Sequence, residues 1–257
     1  MKSIDFDFVA DLYDFYVNTT LDVPFFYNEA KKCRGNVLEL MCGTGRISIP
    51  LLEKGISMTC VDYSRRMLEV FSRKIEGKDI SVKLVSMDVC SLALGEKYNL
   101  IFIPFNSFSE ILTEEKQLAA LDRIYGHLLQ NGRFICTMHN PKIRLKTADG
   151  LIRMLGRFSM NDEGSLVLSY YNSYNKDSGT ISGMQFYEIY NKDNLLTEKR
   201  FVAINFSLLD KVKLEHFFVA LGFSIENLYG DYSYGPFDEE KSPYMIWVLK
   251  KQSNSTG

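Results

Sequence analysis

The sequence predicts an α/β fold: a parallel sheet covered by helices on both faces, with an antiparallel β insertion after strand five. Three observations predict it. Short apolar runs at 36–41, 57–62, 81–86, 98–103 and 132–138 alternate with amphipathic stretches at 45–54, 64–76 and 114–130. Continuous apolar strands joined by helical crossovers are the pattern of a parallel sheet buried on both sides. After Pro141 the pattern changes to aromatic, β-branched runs at 166–174, 180–190 and 199–206, separated by the hairpin-like turns NKDSG and NKDNLL.

Taken in order, residues 6–32 mix aromatics with acids and read as one or two helices broken near Pro24. Gly77, Gly95 and the Asn131–Gly132 pair stand at junctions where helices are expected to end. The stretch 142–206 is too long and too regular for a simple connection, which marks it for a functional role. A helix over 210–221 ending at Gly222, a strand from 223 and a strand at 244–251 complete the sheet. The chain therefore reads as a single domain over 1–257. Its parts are an N-terminal helical cap (1–32), a core (33–141), the insertion (142–206) and a C-terminal helix with strands (207–251).

Composition sets bounds on function. With 46% hydrophobic and 24% charged residues in 257, the chain is long enough and apolar enough to bury a real core. A formal net charge of -2 gives no global attraction to a nucleic-acid backbone or an anionic membrane. Five scattered cysteines without a CxxC pair read as small buried thiols in a reducing compartment rather than disulfides or a zinc site, and no other metal-ligand cluster is visible. Acids interrupt the N-terminal stretch MKSIDFDFVADLYD where a signal peptide needs apolar residues, and no apolar run reaches membrane-spanning length. The expected location is the cytoplasm, where the sequon at Asn254 in the polar tail carries little meaning.

The chemistry sits in VLELMCGTGRISIP (37–50) followed by SMTCVDYS (57–64). An apolar strand, a glycine turn, a helix and a second strand ending in an acid make a nucleotide site. GTGRISIP lacks the lysine and hydroxyl of a phosphate loop, which excludes a triphosphate loop of that kind. Gly43 and Gly45 fit the first two positions of GxGxxG, but Ser48 takes the third. Asp62 would suit a ribose in either a dinucleotide or an adenosine site. Glu39 before the turn would repel a pyrophosphate yet could serve an ammonium group, and Asp88 after the third strand could accept from an adenine amine. Three acids at the carboxyl ends of three consecutive strands suit a cationic, adenosine-bearing ligand. Any one of these glycines or acids is equally a turn residue; the ordered set is what points to a ligand.

With VLELMCGTGR, VDYS, VSMDV, YNLIFIPFNSFSEI, LLQNGRFIC and FFVALGFSIENLYGDY in that order, the chain resembles the class I S-adenosylmethionine-dependent methyltransferases. The likeness covers essentially the whole chain and is nearest to the small-molecule branch of glycine and amino-sugar N-methyltransferases. It implies a Rossmann-like seven-stranded methyltransferase sheet and S-adenosyl-L-methionine as cofactor, with S-adenosyl-L-homocysteine as product. It implies further that the turn through Cys42, Gly43, Thr44 and Gly45 wraps the methionine part, with Glu39 towards its amino group. Asp62 would take the ribose and Tyr63 the adenine face, with Met67 nearby. Met87, Asp88 and Val89 would frame the base, and Phe105 and Asn106 would lie beside the sulfonium. An N-terminal tyrosine that closes over the cofactor is a feature of the branch, which singles out Tyr13 or Tyr16. The family's first glycine is Met41 here, which puts a side chain near the cofactor. The Asp/Asn-Pro-Pro-aromatic signature of amino-methylating DNA and protein enzymes is replaced by IPFNS after strand four, which disfavours nucleic acid.

The function expected is methyl transfer to a nitrogen or oxygen of a small molecule by in-line displacement, in which the protein aligns the nucleophile and excludes water. A protein methyltransferase and a non-catalytic cofactor-binding module are the alternatives. His139, just past strand five, is the expected base, weighed evenly against a loop histidine satisfied by its neighbours. Tyr16, Tyr187, Tyr190 and Arg200 are the expected acceptor residues. Parity puts Gln185, Tyr187 and Ile189 on one face of the insertion and Phe186, Glu188 and Tyr190 on the other. The insertion is expected to serve as an acceptor lid or as the seam of a homodimer.

Overall fold

The computed structural model describes residues 3–161 and 164–252; Asn254 lies outside them. Among the described residues eleven strands form: β1 Val37–Leu40, β2 Met58–Asp62, β3 Lys83–Ser86, β4 Tyr98–Ile103, β5 Leu128–His139, β6 Arg153–Ser159, β7 Ser165–Asn175, β8 Thr180–Tyr190, β9 Leu196–Ser207, β10 Phe223–Tyr229 and β11 Tyr244–Lys251. The helices are α1 Tyr13–Tyr16, α2 Val23–Cys33, α3 Ser48–Glu53, α4 Arg65–Ile75, α5 Glu114–His127, α6 Pro141–Arg144 and α7 Lys211–Ala220.

Seven strands make one sheet in the order β10-β11-β5-β4-β1-β2-β3. β3, β2, β1, β4 and β5 run parallel, and β11 is antiparallel to both β5 and β10. β1 and β2 are buried along their whole length, as continuous apolar strands inside a parallel sheet must be. Separate apolar clusters fill the two faces. Phe108, Leu121, Phe134, Phe218 and Trp247 anchor one, and Phe25, Phe26, Phe71, Leu100 and Phe102 the other. Side chains of this size stabilise by about 1.5–3 kcal/mol each on full burial.

Several boundaries move for local reasons. Pro24 lies in the first turn of α2 and begins that helix rather than breaking it, since the missing N–H would be unsatisfied there anyway. α5 stops at His127, short of the expected 130, and β5 starts at once. Asn131, at φ 61, and Gly132 then sit in a bulge inside β5, not at a helix end. A Cβ on Gly132 would lie 2.8 Å from the Leu129 carbonyl oxygen and 3.0 Å from that of Tyr98.

The insertion is a second, four-stranded antiparallel sheet, β6-β7-β8-β9. β6 was absent from the sequence expectation, because Gly156 and two arginines interrupt its alternation. The inward face carries Leu166, Leu168, Tyr187 and Val202, which pack with Val9 and Leu12 of the N-terminal cap into a third apolar cluster. The insertion and the cap are thus one packed unit over the carboxyl ends of β4 and β5.

Candidate functional site

The site grows from the turn after β1. Met41, Gly43 and Gly45 all have positive φ, at 58°, 56° and 81°. Glycine adopts this region freely and methionine at a cost, which accounts for the glycine that the resemblance implies where Met41 stands. Gly45 is further required by packing, since a Cβ there would lie 2.8 Å from the Phe71 ring of α4. The turn presents its amides to β2: Gly43 N donates to Asp62 Oδ2 at 2.7 Å, and Ser64 N donates to Oδ1 at 2.8 Å. Burial nevertheless raises the Asp62 carboxyl to about 6 against those bonds. Ser64 caps α4 by accepting from Met67 N at 3.1 Å.

The cap is tied to these same residues. Thr44 Oγ1 donates to Asp14 at 2.6 Å, Ser64 Oγ to Asp7 at 2.6 Å and Tyr63 OH to the Ile4 carbonyl at 2.8 Å. Arg46 forks onto Asp22 at 2.6 and 2.7 Å and lies 4.7 Å from the centre of the Phe105 ring. Phe105 and Asn106 follow β4 with φ 57° and 64°, two consecutive left-handed residues that are not glycine. Such strain persists where the surroundings enforce it, typically at functional sites. The buried Asn106 Oδ1 has no hydrogen-bond partner among the described residues.

Two cavities meet here, both lined by Ile4, Met41, Asp62, Tyr63 and Glu110. One, of about 580 Å³, extends past Met87, Asp88, Val89 and Cys90. The other, of about 460 Å³, extends past Tyr13, Tyr16, Asn106, His139 and Arg144 to Gln185 and Phe206 on the inward face of the insertion. Of the residues expected from sequence, Tyr13, Gly43, Met67, Phe105 and Asn106 line the second cavity, and Met87, Asp88 and Val89 the first. Asp88 also accepts from Cys90 N at 2.8 Å.

Other expected residues lie off the cavities. Glu39 is 1% exposed and accepts from Ser48 Oγ; burial raises its carboxyl to about 8. Cys42, Thr44 and Gly45 support the turn from behind its cavity surface. Of the residues expected for the acceptor, Tyr16 lines a cavity and Tyr187, Tyr190 and Arg200 do not. Tyr187 is fully buried beneath Tyr16, with their hydroxyls 3.0 Å apart, and it donates to Gln185 Oε1 at 2.8 Å. It supports the wall without lining it. Tyr190 points to the opposite face, where it donates to Glu188 at 3.1 Å. Arg200 is taken up by Asp11 at 2.6 Å and by Glu198 at 2.6 Å.

His139 does line the second cavity, but burial and then the neighbouring Arg144 charge hold its pKa down at about 3. A ring kept neutral in this way orients a ligand better than it takes a proton. Glu110, which sequence reasoning missed, is the opposite case. Burial, then the Asp62 charge, raise its carboxyl to about 8. It stands in the 3-10 turn Ser107–Glu110, four residues after Asn106 in the FNSFSE segment. An acid so soon after a strand-end asparagine was the available signal. Arg144, one short helix beyond His139, was missed as well.

Residues 37–132 match the family model described as a methyltransferase domain. The cypemycin N-terminal methyltransferase of Streptomyces sp is 32% identical over 105 residues, 41% of this chain and 42% of that protein. The chain thus spans less than half the length of that curated relative. A solved S-adenosylmethionine-dependent methyltransferase from Clostridium acetobutylicum ATCC 824 is similar with a TM-score of 0.81 at 16% identity, over 96% of this chain and 99% of that one. CalS10, an amino pentose methyltransferase from Micromonospora echinaspora solved with S-adenosylmethionine bound, is similar at 0.70 and 12% identity, over 98% and 100%. Residues 37–132 thus match the methyltransferase domain family model, within a chain that shares its fold with solved S-adenosylmethionine-dependent methyltransferases.

Proposed function

We propose that the chain is an S-adenosylmethionine-dependent methyltransferase acting on a nitrogen of a small-molecule acceptor. The observation that carries the reading is the meeting of two cavities at Asp62, Tyr63 and Glu110, one walled by strand-end turns and the other by the insertion. The residues present fit the cofactor. Asp62 and Glu110 are neighbouring acids, each raised by burial, and a cationic adenosine-bearing ligand would favour their charged forms. Asp62 would hold the ribose, Tyr63 the adenine face, Met87, Asp88 and Val89 the edge of the base, and Gly43 the methionine part.

When bound, S-adenosylmethionine supplies a methyl group activated on a sulfonium. The chain's residues do the rest. Tyr13, Tyr16 and the cap exclude water, and Asn106 Oδ1 accepts a hydrogen bond from the acceptor amine. Glu110 takes the proton that an amine must lose to become a nucleophile, since a carboxyl near 8 is matched to that task at neutral pH. The expected base thereby passes from His139 to Glu110. Nitrogen rather than oxygen is supported by the names of the relatives, one an N-terminal methyltransferase and one an amino pentose methyltransferase.

The same reading puts the protein in the cytoplasm, in keeping with five free cysteines; among the described residues no helix is long and apolar enough to cross a membrane. A second copy would cover the outer face of the insertion, where Phe201 is 57% exposed beside Phe186. Calorimetry with S-adenosylhomocysteine and with NAD, then methyl transfer to a panel of amines, phenols and peptides, tests the function. Binding of S-adenosylhomocysteine with turnover on a small amine is expected. Binding of NAD alone would overturn the cofactor. Turnover only on peptides would favour a protein methyltransferase, and binding without any turnover a non-catalytic module.

A further inference from the structure

We propose that Arg144 is the anchor for an oxyanion carried by the acceptor, a carboxylate or a phosphate, bound in the cavity beneath the insertion. The proposal rests on reading that cavity as the acceptor side. Arg144 ends α6 and lines the cavity beside His139 and Phe206. Among the described residues its guanidinium is held by neutral partners only. Nη1 donates to Thr147 Oγ1 at 2.6 Å. With the Asn172 amide turned so that its oxygen faces the guanidinium, Nη2 donates to that oxygen at 2.8 Å. The guanidinium carbon lies 5.0 Å from the centre of the Phe206 ring.

Among the described residues four other arginines meet acids, while Arg157, which has only neutral partners, is exposed to solvent. Arg46 meets Asp22, Arg133 meets Glu29 and Glu226, Arg153 meets Asp149, and Arg200 meets Asp11 and Glu198. Among the described residues no carboxylate pairs with Arg144, and Arg153 adds a like charge that reaches it. A half-buried cation without a counter-charge is costly, and a guanidinium cannot shed its proton to escape the cost. The cavity therefore lacks one negative charge at this point, and the acceptor is the group that can bring it. The plane is already set by Phe206, Thr147 and Asn172, which leaves further N–H donors of the fork for an oxyanion.

The full chain saturated with S-adenosylhomocysteine is titrated by calorimetry with inorganic phosphate and, separately, with acetate, each against sodium chloride at equal ionic strength. At least one of the two is expected to bind saturably above the chloride control, and which one does separates a phosphate-bearing from a carboxylate-bearing acceptor. Arg144→Gln is expected to weaken that binding about tenfold or more, with the affinity for S-adenosylhomocysteine unchanged. Arg144→Lys keeps the charge without the fork and is expected to retain part of the binding. The proposal is overturned if neither anion outbinds chloride on the wild type, or if Arg144→Gln binds as tightly. Should the glutamine variant fail to fold, the wild-type titrations and Arg144→Lys decide on the same criteria. If S-adenosylhomocysteine fails to bind while an Arg144-dependent anion still does, the cofactor reading falls and the anion site stands.

Discussion

On the β1–β2–β3 side of Asp62 the cavity wall is made largely by backbone turns at strand ends, and on the insertion side it is made by side chains projecting from a sheet. The first wall includes Met41 and Gly43 at positive φ and Asp62 held by two amides. The second depends on which face of β7, β8 and β9 turns inward, and so on Asn172, Gln185 and Phe206. A wall of backbone keeps its shape while neighbouring side chains vary; a wall of side chains is redrawn by each substitution. On the proposed function, the difference teaches why a cofactor shared by many chains would sit against the first wall and an acceptor particular to one against the second.

The sharpest way to separate the two walls is Glu110→Gln. Turnover on the best amine of the panel is expected to fall about 100-fold or more, while affinity for S-adenosylhomocysteine holds. The pH profile carries the signature. The Glu110 carboxyl is raised to about 8 by burial and by Asp62, so its basic form fills as pH rises. The wild-type kcat/KM therefore climbs with pH towards a plateau, and a bound cation moves that limb to lower pH; the glutamine variant loses the limb. If affinity for S-adenosylhomocysteine collapses along with turnover, the two walls are not separable.

Asp62→Ala is the complementary break. It is expected to weaken S-adenosylhomocysteine by about 1.5–3 kcal/mol, roughly 10- to 150-fold, the worth of hydrogen bonds to a charged group. Circular dichroism checks that the fold survives, and unchanged affinity would move the ribose contact elsewhere.

The backbone wall also has a stability signature. Glu39 is raised from an ordinary 4.5 to about 8, chiefly by burial. The folded state then holds its proton longer than the unfolded state, so stability is fullest below the unfolded pKa and declines as pH rises through the folded one. Ligand-free protein should melt progressively lower between about pH 4.5 and 8. Glu39→Gln should flatten that decline and raise stability near pH 8 by about 1–2 kcal/mol. A steeper decline in the variant would mean that Ser48 favours the charged carboxylate more than burial opposes it.

The smallest effect is expected at Tyr16→Phe, which removes the 3.0 Å contact with Tyr187 under the side-chain wall. A neutral hydrogen bond of this kind is worth about 0.5–1.5 kcal/mol in chemical denaturation. The KM of the acceptor is expected to move more than the affinity of the cofactor.

The same division explains what was legible in the sequence. The places of Gly43, Asp62 and Asp88 at strand ends beside the cavities could be read because a turn there demands particular residue types at particular spacings. The inward face of the insertion could not, because parity groups residues without saying which group meets the core; Tyr187 and Tyr190 were both assigned to the acceptor although they point opposite ways. β6 was hidden by Gly156, and the end of α5 by a bulge that looked like a helix stop. Glu110 and Arg144 stayed out of view because each lies in a short irregular segment after a strand, where neither helical nor strand periodicity assigns a direction.

The place of β11 between β5 and β10 bears on how the molecule is made. β11 pairs with β5 from Tyr244↔His139 to Lys250↔Arg133, across more than a hundred residues of intervening chain. The insertion between them is a meander in which β6, β7, β8 and β9 each pair with their neighbour in the chain. Contacts this local form early, and contacts this distant wait for the loop between them to close. During synthesis the insertion can assemble while β5 still exposes an unpaired apolar edge, open to strands of other chains. Delivery of Tyr244–Lys251 closes that edge, and with it the sheet that carries His139 at the mouth of the site.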